Sequence, residues 1–317
     1  MFFKIADVMF RLDTADYESD PALSGEELIN KYLNGSLLDY LYDFNFSCNF
    51  TSPGSSAHEV YTIKLYRGSE YKYVKEGDYL TRASLYDVYK TADKIKLDYR
   101  QYVHAVKMTS CIYSSEISGD LKECRIYDYF DDDARCPDYY YLSLFVVIRH
   151  YIEAVLLLYN ACIIHAVSLY YDNRSLIFTA SSGVGKTTHA NNWVKKYNAE
   201  ILNGDTPIIK IIDNEPYLYG SPWCGSSNVA KNKILPLDYA VALKRGNINK
   251  IRKLTPFEAA AYIYGYIRYP VWDPVFTDLK LKLCDLIIKS RLRYYELECL
   301  PDEESAETAM KGIFETD

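Results

Sequence analysis

Ala180-Ser181-Ser182-Gly183-Val184-Gly185-Lys186-Thr187-Thr188 is the stretch on which the reading of this chain turns. The apolar run Leu176-Ile177-Phe178 stands just before it, and His189 to Tyr197 follows with the pattern of a helix. Strand, glycine loop, lysine, hydroxyl, helix is the order of a phosphate-binding loop. In such a loop the backbone N–H groups point at phosphate oxygens, and the helix N-terminus adds positive potential. Ser182, Gly183, Val184, Gly185, Lys186, Thr187 and Thr188 are therefore the candidate contacts for ATP or another nucleoside triphosphate. Lys186 is placed to reach the β- and γ-phosphates, and the Thr187 hydroxyl to ligate Mg²⁺. Gly183 and Gly185 let the backbone curl with no side chain in the way. The strict pattern opens on glycine, and here Ala180 holds that position. The competing reading is a glycine-containing turn between a strand and a helix. It explains the glycines but leaves Lys186-Thr187-Thr188 as coincidence.

The chain has 317 residues, 49% of them apolar, enough for a sizeable core and two domains. Its net charge is −7, and no strongly basic domain stands out, which argues against a nucleic-acid partner. The 33 tyrosines cluster before residue 160, as in Tyr139-Tyr140-Tyr141. Tyrosine joins a large apolar ring to a polar tip, which suits strands and binding surfaces, although composition bias explains the count equally well. None of the eight cysteines are spaced as paired metal ligands, and charge appears within the first seven residues, unlike a signal peptide. The expectation is a cytoplasmic protein with reduced, buried cysteines. The longest apolar stretch, Leu142 to Ile164, is interrupted by Arg149, His150, Glu153 and Asn160, so it reads as a buried helix rather than a membrane span.

The pattern divides near residue 140. Residues 2–12 alternate as a strand, 24–40 read as a short helix, and 58–66, 71–81 and 100–113 read as strands. The acidic, turn-rich segment Asp128 to Pro137 marks a boundary. Beyond it come a helix over 141–160 and strands over 162–170 and 175–180, with a turn at Asp172-Asn173. A helix over 187–197 leads to strands over 200–203, 207–212 and 216–219. Helices over 256–267 and 275–290, a strand over 293–299 and a helix over 302–314 complete the chain. The predicted domains are a β-rich 1–140 and a nucleotide-binding 141–317.

Taken in order, four stretches resemble the HPr kinase-like branch of the phosphoenolpyruvate carboxykinase-type nucleotide-binding fold. They are Ile164-His165-Ala166, the loop itself with its double threonine, Asn203-Gly204-Asp205, and Gly220-Ser221-Pro222-Trp223-Cys224-Gly225. The last, with the tail Tyr295 to Asp302, looks like the HPr kinase-like proteins found beside ribosomal peptide biosynthesis genes. The resemblance implies an α/β fold: a mixed sheet carrying the phosphate loop, plus a smaller β-rich N-terminal domain. The bacterial HPr kinases proper carry two adjacent aspartates at the acidic position, where this chain has Gly204-Asp205. Their glycine-arginine-asparagine signature is also missing downstream, which puts bifunctional kinase/phosphorylase activity in doubt.

Asp205 follows a short apolar strand, in the order that brings an acid beside the phosphates. It reads either as a base and Mg²⁺ ligand or as a turn residue, since Asn-Gly-Asp-Thr-Pro is turn chemistry in any case. His165 is either a hydrogen-bonded core residue or the partner that sets the Asp205 pKa. Ser221, Trp223 and Gly225 are candidate substrate contacts, though a loop tryptophan also packs on its own domain. Lys231, Lys233, Lys244, Arg245 and Arg252 include at most one phosphate ligand, which sequence does not single out. His189 is expected to face solvent or the adenine edge. The leading expectation is an ATP-dependent kinase of a Ser or Thr hydroxyl on a peptide or protein, with Asp205, His165 and Lys186 catalytic and Thr187 with Asp205 on the metal. A nucleotide-binding regulatory partner and a small-molecule kinase are the alternatives. Neither a membrane nor a nucleic acid is expected as partner, and a homo-oligomer is compatible with the sequence.

Overall fold

The computed structural model describes residues 2–13, 59–67, 75–83, 86–103, 106–129 and 137–315. The predicted helix over 24–40 lies outside them. Among the described residues the chain is a mixed α/β protein with three sheets and five helices. It divides into two compact units, Met1–Val155 with Pro270–Pro274 and Leu156–Tyr269 with Val275–Asp317. The division falls within the last turn of the long helix Pro137–Leu157, whereas the acidic stretch that suggested a boundary precedes that helix.

The first unit is built on an eight-stranded sheet of order β1-β2-β3-β8-β7-β6-β5-β4. Its strands are β1 Phe2–Ile5, β2 Val8–Asp13, β3 Val60–Arg67, β4 Asp78–Arg82, β5 Tyr86–Lys90, β6 Lys94–Val103, β7 Val106–Ser118 and β8 Glu123–Asp128. The segment expected as one strand over 100–113 is the end of β6 and the start of β7, an antiparallel hairpin in which Val103 faces Val106. Continuous β-propensity through the connection hides the break. Helix α1 (Pro137–Leu157) packs through Tyr151, whose ring meets Phe10 edge-on at 6.4 Å and whose hydroxyl donates to the Leu121 carbonyl at 2.7 Å.

The second unit holds the loop. A six-stranded sheet runs in the order β12-β10-β11-β16-β18-β17, from Glu200–Asn203, Ala166–Tyr171, Arg174–Thr179, Tyr239–Arg245, Arg293–Cys299 and Lys250–Lys253 respectively. β11, β16 and β18 are parallel. β12 is antiparallel to β10, and β10 to β11, so β12 shares the direction of β11. The tight β10–β11 hairpin turns at Asp172 and Asn173, both at positive φ (47° and 58°), as the sequence expected.

Alternate residues of these strands make the core on one face of the sheet. Leu176, Phe178 and Ala180, Val167 and Leu169, Tyr239, Val241 and Leu243, and Tyr295 and Leu297 form one apolar cluster. Helices α2 (Lys186–Tyr197) and α5 (Glu304–Phe314) close it with Ala190, Trp193, Ala306, Ala309 and Ile313. Trp193 is fully buried, edge-on to Tyr171 at 5.7 Å and tilted against Phe178 at 5.9 Å. Lys195 and Lys196 of α2 pair with Glu303 and Glu307 beside it on the surface.

A four-stranded sheet, β15-β14-β13-β9, completes the unit from Ile234–Pro236, Glu215–Tyr219, Ile208–Ile212 and Ala161–Ile163. The single strand expected over 162–170 is thus two. β9 pairs with β13 in this sheet, and β10 pairs with β11 in the other. Ile164 and His165 bridge the two sheets. Helices α3 (Pro256–Tyr266) and α4 (Pro274–Lys289) stand close to the expected ranges. α3 opens on a capping box in which the Thr255 side chain accepts from Glu258 N–H. Cys124, Cys162, Cys224, Cys284 and Cys299 are free and buried. No described helix is long and apolar enough to cross a membrane.

Candidate active site

Four chain segments meet at the end of the six-stranded sheet where β11, β12, β16 and β18 finish. β11 runs into the glycine loop. β12 runs into Gly204-Asp205, β10 begins just after His165, and β16 ends at Arg245. Loops past the carboxyl ends of parallel strands are where α/β sheets place ligands.

The loop itself is open. Ser181, Ser182 and Gly183 are exposed, and so are Thr187 and Thr188 on the first turn of α2. Gly183 and Gly185 take φ of 78° and 113°, and Gly185 is the left-handed residue at which α2 starts. No side chain caps that helix end and no acidic residue lies in its first turn, so its N–H groups and partial positive charge face outward.

Lys186 does not share that exposure. It is buried, and its Nζ lies 2.8 Å from His165 Nε2 and donates to the Ala180 carbonyl at 2.9 Å. Desolvation holds its pKa below the ordinary lysine value; the Asp205 carboxylate opposes that shift and Arg268 adds to it. On its other side, His165 Nδ1 lies 3.2 Å from Asp205 Oδ1, without the alignment of a hydrogen bond. An ammonium has only donors, so Nε2 accepts, and the proton of a neutral imidazole then sits on Nδ1, toward Asp205. Lys186, His165 and Asp205 therefore stand in a row. The backbone fixes the row as well: Ala166 N–H donates to the Asp205 carbonyl at 2.9 Å, and His165 N–H to the Tyr266 carbonyl at 3.0 Å.

Asn203, which sequence reasoning passed over, builds the Asp205 turn. It is fully buried; its Oδ1 accepts from the N–H groups of Asp205 (3.0 Å) and Thr206 (2.8 Å). Its Nδ2 donates to the Ser221 and Trp223 carbonyls at 2.9 and 3.1 Å. The signal was the Asn-Gly-Asp turn itself: a side chain that accepts N–H groups two and three residues on is an Asx motif. Ser221 and Trp223 are buried too, so they support this turn rather than line an open mouth. Thr206 Oγ1 donates to the Trp223 carbonyl, and Ser221 Oγ to the Thr206 carbonyl at 2.5 Å. Gly225 backs directly on Asp205: a Cβ there would stand 2.9 Å from Asp205 Cβ.

Gly204 has a physical reason as well. A Cβ at this position would meet Ser227 Oγ at 1.7 Å and Ser227 Cβ at 2.3 Å. The position where HPr kinases carry a second acid has no room for a side chain here.

His189 corrects its expectation. It is buried, not facing solvent, because α2 lays that face on the core. Trp193 Nε1 donates to its Nε2 at 3.0 Å, Ser305 Oγ lies 3.1 Å from its Nδ1, and burial pushes its pKa down to about 3.

No protein-family model matches this chain, and no curated protein matches it. Among the solved structures that do match is the Hpr(Ser) kinase/phosphatase from Coxiella burnetii. It is 12% identical, the match covers 39% of this chain and 86% of that one, and the TM-score is 0.24. A likeness at that level supports no statement about what this chain does.

Proposed function

We propose that this protein is an ATP-dependent phosphotransferase acting on a Ser or Thr hydroxyl of a peptide or protein. The observation that carries the reading is the row Lys186, His165, Asp205 beside an open glycine loop at a helix N-terminus. The sequence resemblance to HPr kinase-like proteins supports it. Phosphoryl transfer asks for positioning and charge neutralisation, and these residues are of the kinds it uses.

In this reading, loop N–H groups 182–188 hold the triphosphate. Lys186 turns from the Ala180 carbonyl and His165 toward phosphate oxygens, exchanging a neutral acceptor for charged ones. Asp205, whose side chain is 28% exposed, takes the proton of the acceptor hydroxyl as its oxygen bonds to the γ-phosphorus and the bond to ADP breaks. His165 turns Nδ1–H toward Asp205 Oδ1 at 3.2 Å, a dipole that favours the carboxylate. The exposed Thr187 hydroxyl and the Asp205 carboxylate are hard oxygen donors of the kind Mg²⁺ prefers, and they fit a metal that keeps water and phosphate ligands. Mg²⁺, when bound, would neutralise charge building on the phosphates. The β-rich first unit is assigned to acceptor selection.

The test is incubation with Mg·ATP and Ser- or Thr-containing acceptors from the host, read by mass spectrometry. Addition of one phosphoryl group to a hydroxyl is expected. Nucleotide binding without transfer to any acceptor would favour a nucleotide-dependent regulatory partner instead.

A further inference from the structure

Five cations were candidates for a second phosphate contact, and the fold gives four of them other surroundings. Lys231 and Lys233 both bind Glu200, at 2.6 and 2.8 Å. Arg252 is held by Glu258 at 2.7 Å and Glu296 at 3.0 Å. Lys244 stands directly across from Glu298 in the β16–β18 register. Arg245 is different. It ends β16, its guanidinium donates to the Gly183 carbonyl of the loop at 2.9 Å, and it forms no ion pair among the described residues.

The placement is specific. β16 borders β11 on the side away from β10 and β12, so the loop has the His165–Asp205 pair on one flank and Arg245 on the other. Gly183 is exposed, three residues before the start of α2. A polyphosphate with its inner groups over the helix N-terminus would direct its outer end past Gly183. A guanidinium bound to one neutral carbonyl keeps most of its five donors available, and it gains when a charged oxygen replaces that carbonyl. The terminal phosphate carries more charge than the inner two, so it competes best.

We infer that Arg245 latches the empty loop through Gly183 and transfers to the terminal phosphate of a bound nucleoside triphosphate, making it the residue that distinguishes triphosphate from diphosphate. The inference rests on the phosphate-loop reading of residues 182–188. A purely structural latch would predict something else: loss of Arg245 would disorder the loop and weaken every nucleotide alike.

Calorimetry on the full chain with Mg²⁺ separates these, using ADP and a non-hydrolysable ATP analogue against the parent, Arg245→Gln and Arg245→Lys. The expected result is that Arg245→Gln weakens the triphosphate analogue by about tenfold or more and ADP by less than about threefold. Arg245→Lys keeps the charge without the planar fork and should fall between. It also carries the test if the glutamine variant fails to fold. Equal weakening of both nucleotides, or no change in either, would overturn the inference while leaving the phosphate-loop reading standing. A parent that binds neither nucleotide would overturn the phosphate-loop reading itself, and the role of Arg245 with it.

Discussion

Lys186 Nζ lies 2.8 Å from His165 Nε2, so the cation of the glycine loop is held inward by an imidazole 21 residues before it in the chain. The contact costs stability, because a buried ammonium whose nearest partners are a neutral imidazole and a carbonyl is poorly compensated. Its depressed pKa expresses that cost. A basic group with a folded pKa below its unfolded value makes the protein more stable as pH rises through the window between the two. Lys186→Met should therefore melt at a higher temperature than the parent at neutral pH while losing nucleotide binding. Thermal denaturation with and without Mg·ATP checks both halves. A lower melting temperature would show that the ammonium is a net structural contact.

Asp205→Asn keeps the shape of the turn and removes the base. Nucleotide affinity should stay within a few-fold of the parent, and transfer should fall by about 10²–10⁴. Phosphoryl transfer in single turnover, read by mass, decides the point. Unchanged transfer would remove Asp205 from the chemistry.

Much of the site was legible because it is local. The loop, the Asp172-Asn173 turn and the helices after residues 185 and 303 announce themselves through glycine, Asn/Asp and acidic or capping residues within a few positions. What was hidden depends on pairing. Tyr239 to Leu243 forms a central parallel strand buried on both faces, so it shows a continuous apolar run with no alternation and no period to read. The break at Ile164-His165 has no Gly, Pro or Asn to mark it, since the chain leaves one sheet for another without turning back. Asn203 looked like an ordinary turn residue because the carbonyls its Nδ2 donates to beyond the turn belong to Ser221 and Trp223, 18 and 20 residues further on. Arg245 was one of five equal cations until the β16 register placed it against Gly183.

The crowding at Gly204 makes a sharp expectation. Gly204→Asp, which would place two acids side by side, should destabilise the protein and add no activity, since Ser227 occupies the space its Cβ needs. Gly225→Ala should lower transfer more than nucleotide affinity, because φ is +60° and the new methyl pushes on Asp205. Paired melting curves and transfer rates test both. A stable Gly204→Asp variant with raised activity would contradict the packing described here.

Acid should loosen the second unit through His189. Its folded pKa of about 3 lies below the ordinary histidine value of 6.5, so the unfolded chain takes up the proton first. The stability it contributes is complete above pH 6.5 and is lost as pH falls toward 3, at up to about 1.4 kcal/mol per pH unit. His189→Gln retains an acceptor for Trp193 Nε1 and has no proton to gain. Its urea midpoint should vary less between pH 6 and pH 4 than that of the parent. Parallel profiles would place the acid sensitivity elsewhere.

The most direct measurement is calorimetric titration of the full chain with Mg·ATP, parent against Lys186→Ala. Binding by the parent and a loss of at least tenfold in the variant, about 1.4 kcal/mol or more, is the predicted result. Equal affinity in the two proteins, or no binding by the parent, would contradict nucleotide recognition by residues 182–188.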